Sequence, residues 1–229
     1  VYTPAELAAP RESPFGSTNG DLKRGLEFGK AEYDEIAGVC SKTDIDWSAS
    51  CWDTESVTFM DQYDIPWLKI PSALLTNQTI LNAHLDTKRP LLLSTGMSTI
   101  EEIDQAVIAL QEADLTVMHC HSAYPSPLEE VNLSCIPMFK KRYAWCDVGY
   151  SSHTVSPWPC LMAAVYGAQV IEAHLTLDRA MFGSDQAASL EPAAFKKLVE
   201  EIRTWERCKG DGVKRCWPSE EPAKRKLRR

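Results

Sequence analysis

The stretch DVGYSSHTVS, Asp147–Ser156, and the stretch AQVIEAHLTLDR, Ala168–Arg179, share one design: a short apolar run, a histidine, then a polar loop. The chain holds only five histidines, and two of them, His153 and His174, stand just past strand-like runs. The same design repeats upstream. Strand-like runs end near Ser50 (DIDWSAS), Ile70 (PWLKI), Ser94 (PLLLS), Cys120 (LTVMHC), Ser151 and His174, 20 to 31 residues apart. Helical patterns lie between them. STIEEIDQAVIALQEAD carries Ile100, Ile103, Val107 and Leu110 on one face, with a capping box expected from Ser98 to Glu101. SLEPAAFKKLVEEIRTWE repeats the theme, with Ser189 as the expected cap, Pro192 in the first turn, then Phe195, Leu198, Val199 and Ile202. An earlier helix starts at Asp53 with Val57 and Met60 inward, and another carries Tyr33, Ile36 and Val39. Alternation of strand and helix at this spacing predicts βαβ units and a parallel sheet.

The missing dinucleotide fingerprint and the polar end of nearly every strand favour an α/β fold of the (β/α)8 TIM-barrel type over an open sheet, because a barrel feeds all its strand ends into one site. Six βα units are readable, so the barrel is expected to be incomplete. Residues 1–29 read as a loop-rich segment without a strand, residues 30–206 as the barrel domain, and residues 207–229 as a basic tail. A net charge of −8 excludes a nucleic-acid surface, so a phosphate site must be a local cluster. No apolar run approaches the ~18 residues of a membrane span. The polar, proline-bearing N-terminal stretch does not read as a signal peptide, and none is expected. Eight cysteines without a C-x-x-C pair read as reduced thiols of a cytoplasmic protein.

The strand ends present a chemically coherent set. Ser50 ends the first strand, Lys69 and Ser72 the second, and Ser94, Thr95 and Gly96 the third. Ser122 and Tyr124 follow the fourth, Ser151 and His153 end the fifth, and His174 ends the sixth, with Asp185 in its loop. A lysine, several hydroxyls and a glycine-bearing turn can bind phosphate. Two neutral imidazoles can hold a divalent ion with open positions, and such an ion polarises a carbonyl.

The segments LKIPS, PLLLSTGMST, HCHSAYPSPLEEVNL, VGYSSHT and VIEAHLTLDRAMFGSDQAASLEP resemble, in order and spacing, the N-acetylneuraminate (sialic acid) synthase family, from about Leu26 to Glu206. The resemblance implies a (β/α)8 barrel that condenses phosphoenolpyruvate with N-acetylmannosamine or a related N-acylated hexosamine and releases phosphate. It implies a divalent metal, Mn²⁺ first and Mg²⁺ or Co²⁺ next, on His153 and His174. It gives Lys69, Ser72, Ser94 and Ser151 to phosphoenolpyruvate, places Ser50 near the phosphate and Ser122 at an Asn or Ser position, and sets Tyr124 and Asp185 on the sugar hydroxyls. His153, His174 and Lys69 are thus the catalytic candidates. A homo-oligomer is expected as well.

Other roles are open to the same residues. A strand-end histidine is commonly a hydrogen-bonded structural residue, strand-end serines commonly cap turns, and Asp185 fits a plain turn. His119 and His121, two apart, could both face inward as supporting residues; His84 reads as surface helix. The family's first two barrel strands, with an acidic residue and a second lysine, have no counterpart here, and neither does the C-terminal antifreeze-like domain. Leu74, Ser152 and Ala173 depart from the family pattern beside the site. The alternatives are a non-catalytic barrel remnant that binds sugar or phosphate only, and another phosphate-binding aldolase-type barrel.

Overall fold

The computed structural model describes residues 2–228. In chain order the elements are α1 (Pro4–Ala8), β1 (Pro10–Ser13), β2 (Gly16–Thr18), α2 (Asn19–Leu26), α3 (Lys30–Thr43), α4 (Thr54–Met60), β3 (Leu68–Ile70), α5 (Gln78–Asp86), β4 (Leu91–Ser94), α6 (Ile100–Ala109), β5 (Leu115–Cys120), α7 (Cys135–Arg142), β6 (Asp147–Ser152), α8 (Trp158–Val165), β7 (Val170–Ala173), α9 (Pro192–Cys208) and α10 (Glu221–Leu227). Strands β3 to β7 form one parallel sheet in sequential order.

Strand alternation divides the side chains between two layers. Leu68, Ile70, Leu91, Leu93, Leu115, Val117, Val148 and Tyr150 are buried on the outer face, against Leu81, Ile103, Val107, Ile136, Phe139 and Ala163 of the helices α5 to α8. The parallel register aligns Lys69 with Leu92, Ser94 with Met118, Met118 with Gly149, Cys120 with Ser151, and Ser151 with Glu172. These residues form the inner face. A side chain at Gly149 would place its Cβ 2.2 Å from the Met118 sulfur and 2.8 Å from the Val170 carbonyl. Glycine there lets Met118 fill the floor.

The sheet is strongly curled. Flat, five strands would set the outermost two about 19 Å apart, four spacings of ~4.8 Å. Yet Lys69 Nζ of β3 lies 2.7 Å from a carboxylate oxygen of Glu172 in β7. The architecture is therefore an open, curled half-barrel of the (β/α)8 type.

Several expectations need correction. Among the described residues the parallel sheet has five strands, not six. The run ending at Ser50 makes a single parallel bridge, Ser50 to Lys69. Ser48 Oγ donates to the Trp67 carbonyl at 2.6 Å, so a side chain takes an acceptor that a backbone ladder would use. Residues 1–29, read as loop-rich, contain two short helices around an antiparallel β1–β2 hairpin. Capping boxes from Thr3 to Glu6 and Thr18 to Asp21 fix those helices. β1 carries Arg11 and Glu12, β2 is small and polar, and both are largely exposed, without the apolar alternation that announces a strand. Helix α6 is capped by Thr99 with Glu102, one residue later than expected, because Ser98 Oγ donates to the Gly96 carbonyl instead. Helix α9 has Glu191 at its N-cap, while Ser189 Oγ turns back to the Asp185 carbonyl. It runs to Cys208, and the basic tail carries α10. His84 is not on a surface. It is 0% exposed, and its Nδ1 donates to the Ile80 carbonyl at 2.9 Å. Val39 is 52% exposed; α3 docks instead through Tyr33, which stacks on Trp47 and meets Phe59 edge-on.

Candidate active site

At the C-terminal ends of the strands lies a cavity of about 410 Å³. Ser50, Lys69, Ser72, Ser94, Ser122, Tyr124, Ser151, His153, His174 and Asp185 all line it. The structure thus brings every expected site residue into one place. The reason is periodic: each strand ends with an inward side chain, and the parallel register sets those ends level.

One side of the cavity is cationic and hydroxyl-rich. Lys69 meets both carboxylate oxygens of Glu172, at 2.7 and 2.8 Å. Ser94 Oγ is buried without any hydrogen-bond partner, a condition that costs free energy unless a ligand supplies one. Ser72 Oγ accepts the Gly96 amide hydrogen at 3.0 Å. A Cβ on Gly96 would fall 2.0 Å from Ser122 Oγ and 3.0 Å from Ser72 Oγ, so only glycine lets the two hydroxyls converge over this turn. Thr95 is turned away, donating to the Met118 carbonyl at 2.9 Å.

The other side holds the imidazoles. The ring centres of His153 and His174 are 5.1 Å apart, edge to face. His153 Nδ1 donates to the His121 carbonyl at 2.6 Å, which leaves Nε2 with its lone pair. Fixing one ring nitrogen on a carbonyl is how proteins hold an imidazole ready as a ligand. Among the described residues no group of three or more His, Cys, Asp or Glu is arranged to hold a metal. The donor set fits an ion held by two imidazoles, the rest of its shell coming from substrate or water. Burial depresses the His153 pKa, but the Cys120 thiol and the His121 carbonyl outweigh it and leave the group above its usual value. His174 lies below its usual value, through burial and the neighbouring His153, against the pull of Asp185 and Glu172. Its Nδ1 is 3.7 Å from Asp185. The Tyr124 ring sits 3.9 Å from the His153 ring. Burial, followed by the charges of Cys120, Asp185 and Glu172, pushes its phenol up to about 12, so it stays a hydrogen-bond donor at neutral pH.

Cys120, Glu172 and Met97 also line the cavity but were not anticipated as site residues. Alternation could have found two of them: Glu172 lies two residues before His174, and Cys120 pairs with Ser151. His119 does not face inward. Its Nε2 donates to the Val131 carbonyl at 2.7 Å, and its ring meets Phe139 of α7. His121 supports the site through its carbonyl, while its ring contacts Ser126 and Glu130.

Comparison with known proteins gives this geometry a context. The NeuB family profile matches residues 4–214. The N,N'-diacetyllegionaminic acid synthase of Campylobacter jejuni is 36% identical over 201 residues, 86% of this chain and 60% of that protein. The human N-acetylneuraminate-9-phosphate synthase is 33% identical over 215 residues, 93% of this chain and 60% of that protein. The crystal structure of the N-acetylneuraminic acid synthetase from Leptospira borgpetersenii superposes with a TM-score of 0.83 at 31% identity, covering 94% of this chain and 78% of that one. The chain spans about three fifths of the length of these two curated relatives.

Proposed function

Because this chain belongs to the NeuB family, we propose that it forms the phosphoenolpyruvate and sugar site of a sialic acid synthase-type enzyme. The reaction joins C3 of phosphoenolpyruvate to the aldehyde carbon of N-acetylmannosamine or a related N-acylated hexosamine, and phosphate leaves. The observation that carries this reading is the division of one cavity between a lysine with hydroxyls and an imidazole pair. Lys69, the orphaned Ser94 hydroxyl, Ser72 and Ser151 bind the phosphoenolpyruvate anion, with Ser50 and Ser122 alongside. Tyr124 and Asp185 orient the sugar hydroxyls, Tyr124 as a donor and Asp185 as an acceptor. His153 and His174 would hold a divalent ion, Mn²⁺ in this reading with Mg²⁺ or Co²⁺ as substitutes, which supplies Lewis acidity toward a carbonyl oxygen. All eight cysteines are free thiols, in keeping with the reducing cytoplasm. Among the described residues no helix is long and apolar enough to cross a membrane.

The test is calorimetric. Mn²⁺ binding should fall sharply in His153→Ala and in His174→Ala, and both variants binding as tightly as the parent would remove the metal role. Lys69→Met should weaken phosphoenolpyruvate binding by roughly 1.5–3 kcal/mol, the range of a hydrogen bond to a charged group, with Mn²⁺ binding retained. The open five-strand sheet favours a second reading, a barrel portion that binds these ligands without turnover; binding without phosphate release would select it.

A further inference from the structure

Lys69 and Glu172 belong to the two outermost strands of the sheet, yet their side chains meet across the cavity. Both carboxylate oxygens lie on the one ammonium. Among the described residues lining this cavity, Lys69 is the only lysine or arginine. A single half-buried cation cannot serve two anions well, because the anions repel each other strongly where water is scarce. The two partners differ in freedom. The Lys69 side chain is 13% exposed and Glu172 36%. Glu172 therefore has water to turn to, and Lys69 does not.

We infer that Glu172 is an internal competitor for the anion pocket, a carboxylate that occupies Lys69 and must be displaced by an incoming phosphate group. This rests on the assignment of Lys69 as the phosphate cation. Glu172 is then a positioning residue: it holds the lysine extended into the cavity and keeps the pocket from filling with weak anions. Displacing it also releases the side-chain contact between β3 and β7 across the cavity.

Exchange has a quantitative signature. If Lys69 is free in only a tenth of the molecules, every anion binds about tenfold more weakly than to a chain whose lysine is always free. The factor is the same for a monoanion and a dianion. The test uses NMR titration of the parent, Glu172→Gln and Lys69→Met with two tetrahedral probes, methanesulfonate and inorganic phosphate, at about pH 8, where phosphate is a dianion. Glu172→Gln should bind both probes about tenfold more tightly, and by the same factor. A merely structural glutamate would give weaker binding when removed. Unchanged or weaker binding in Glu172→Gln overturns the inference. A phosphate gain near the square of the methanesulfonate gain also overturns it, since that marks a carboxylate that repels without being displaced. Glu172→Asp, which keeps the charge and shortens the reach, should show an intermediate gain and serves if the glutamine variant fails to fold. Lys69→Met separates the two levels. If it loses phosphate while Glu172→Gln gains nothing, only the competition fails. If it keeps phosphate, the anion site itself is misassigned.

Discussion

His84 shows what burial does to a single group. Its Nδ1 is satisfied by Ile80, but its Nε2 has no partner. Burial lowers its pKa from 6.5, against the partial pull of the Ile80 and Lys69 backbones. The folded chain therefore resists a proton that the unfolded chain accepts. As pH falls through 6.5, the unfolded state gains the proton first, and stability is lost until the lower folded pKa is reached. Urea unfolding between about pH 7.5 and 5.5 should show a steeper loss for the parent than for His84→Leu. Equal slopes would mean that His84 protonates without penalty. This residue was misread from sequence because a helix residue's facing depends on where the neighbouring strand runs. The strand-end residues were legible for the opposite reason: strand alternation is local, and a run such as LKI or VIEAH sets its inward side chains without reference to anything distant. Glu172 obeys the same rule, but a glutamate next to an apolar run attracts no notice until its lysine is seen on β3, at the opposite edge of the sheet.

Elements were more legible in kind than in boundary. Helices α4, α6 and α9 and strands β3 to β7 follow from apolar periodicity and spacing. The caps slipped by a residue or two because Ser98, Thr99 and Glu102 offer competing boxes, and backbone geometry chooses between them. In α6 the Thr99 hydroxyl accepts the Glu102 amide at 3.3 Å, and the Glu102 carboxylate accepts the Thr99 amide at 2.7 Å. Thr99→Ala should cost about 0.5–2 kcal/mol, while Ser98→Ala should cost less, since Ser98 satisfies only the Gly96 carbonyl. Urea midpoints for the two variants check the assignment, and a larger loss for Ser98→Ala would return the cap to its expected place. The β1–β2 hairpin was invisible because its strands bury nothing against the main core and so carry no pattern. The bridge at Ser50 was overread: the run has apolar spacing, but Ser48 spends its hydroxyl on the Trp67 carbonyl.

At the scale of the molecule, the decisive property is an open sheet. A closed barrel of this class uses eight strands; β3 to β7 supply five, and the Ser50 bridge extends β3 by a single pairing. The outer face of the sheet is covered by helices, but the rim of the cavity is incomplete on one side. We expect this chain to release phosphate from phosphoenolpyruvate and N-acetylmannosamine with Mn²⁺ at least 10²-fold more slowly than a version extended upstream by two strands, because losing a proton-handling group alone commonly costs that much. Equal turnover by the two would mean that the half-barrel suffices.

The turn after β4 places Met97 at the cavity rim in the left-handed region, φ 62°, with 72% of the residue exposed, whereas Met118 in the floor is fully buried. An oxidant entering this mouth meets the rim thioether first. Conversion to the sulfoxide would set a polar, chiral S=O group where ligands enter and leave, a change that methionine sulfoxide reductases reverse. The Met118 sulfur, buried within the sheet, would stay reduced while the entrance aged.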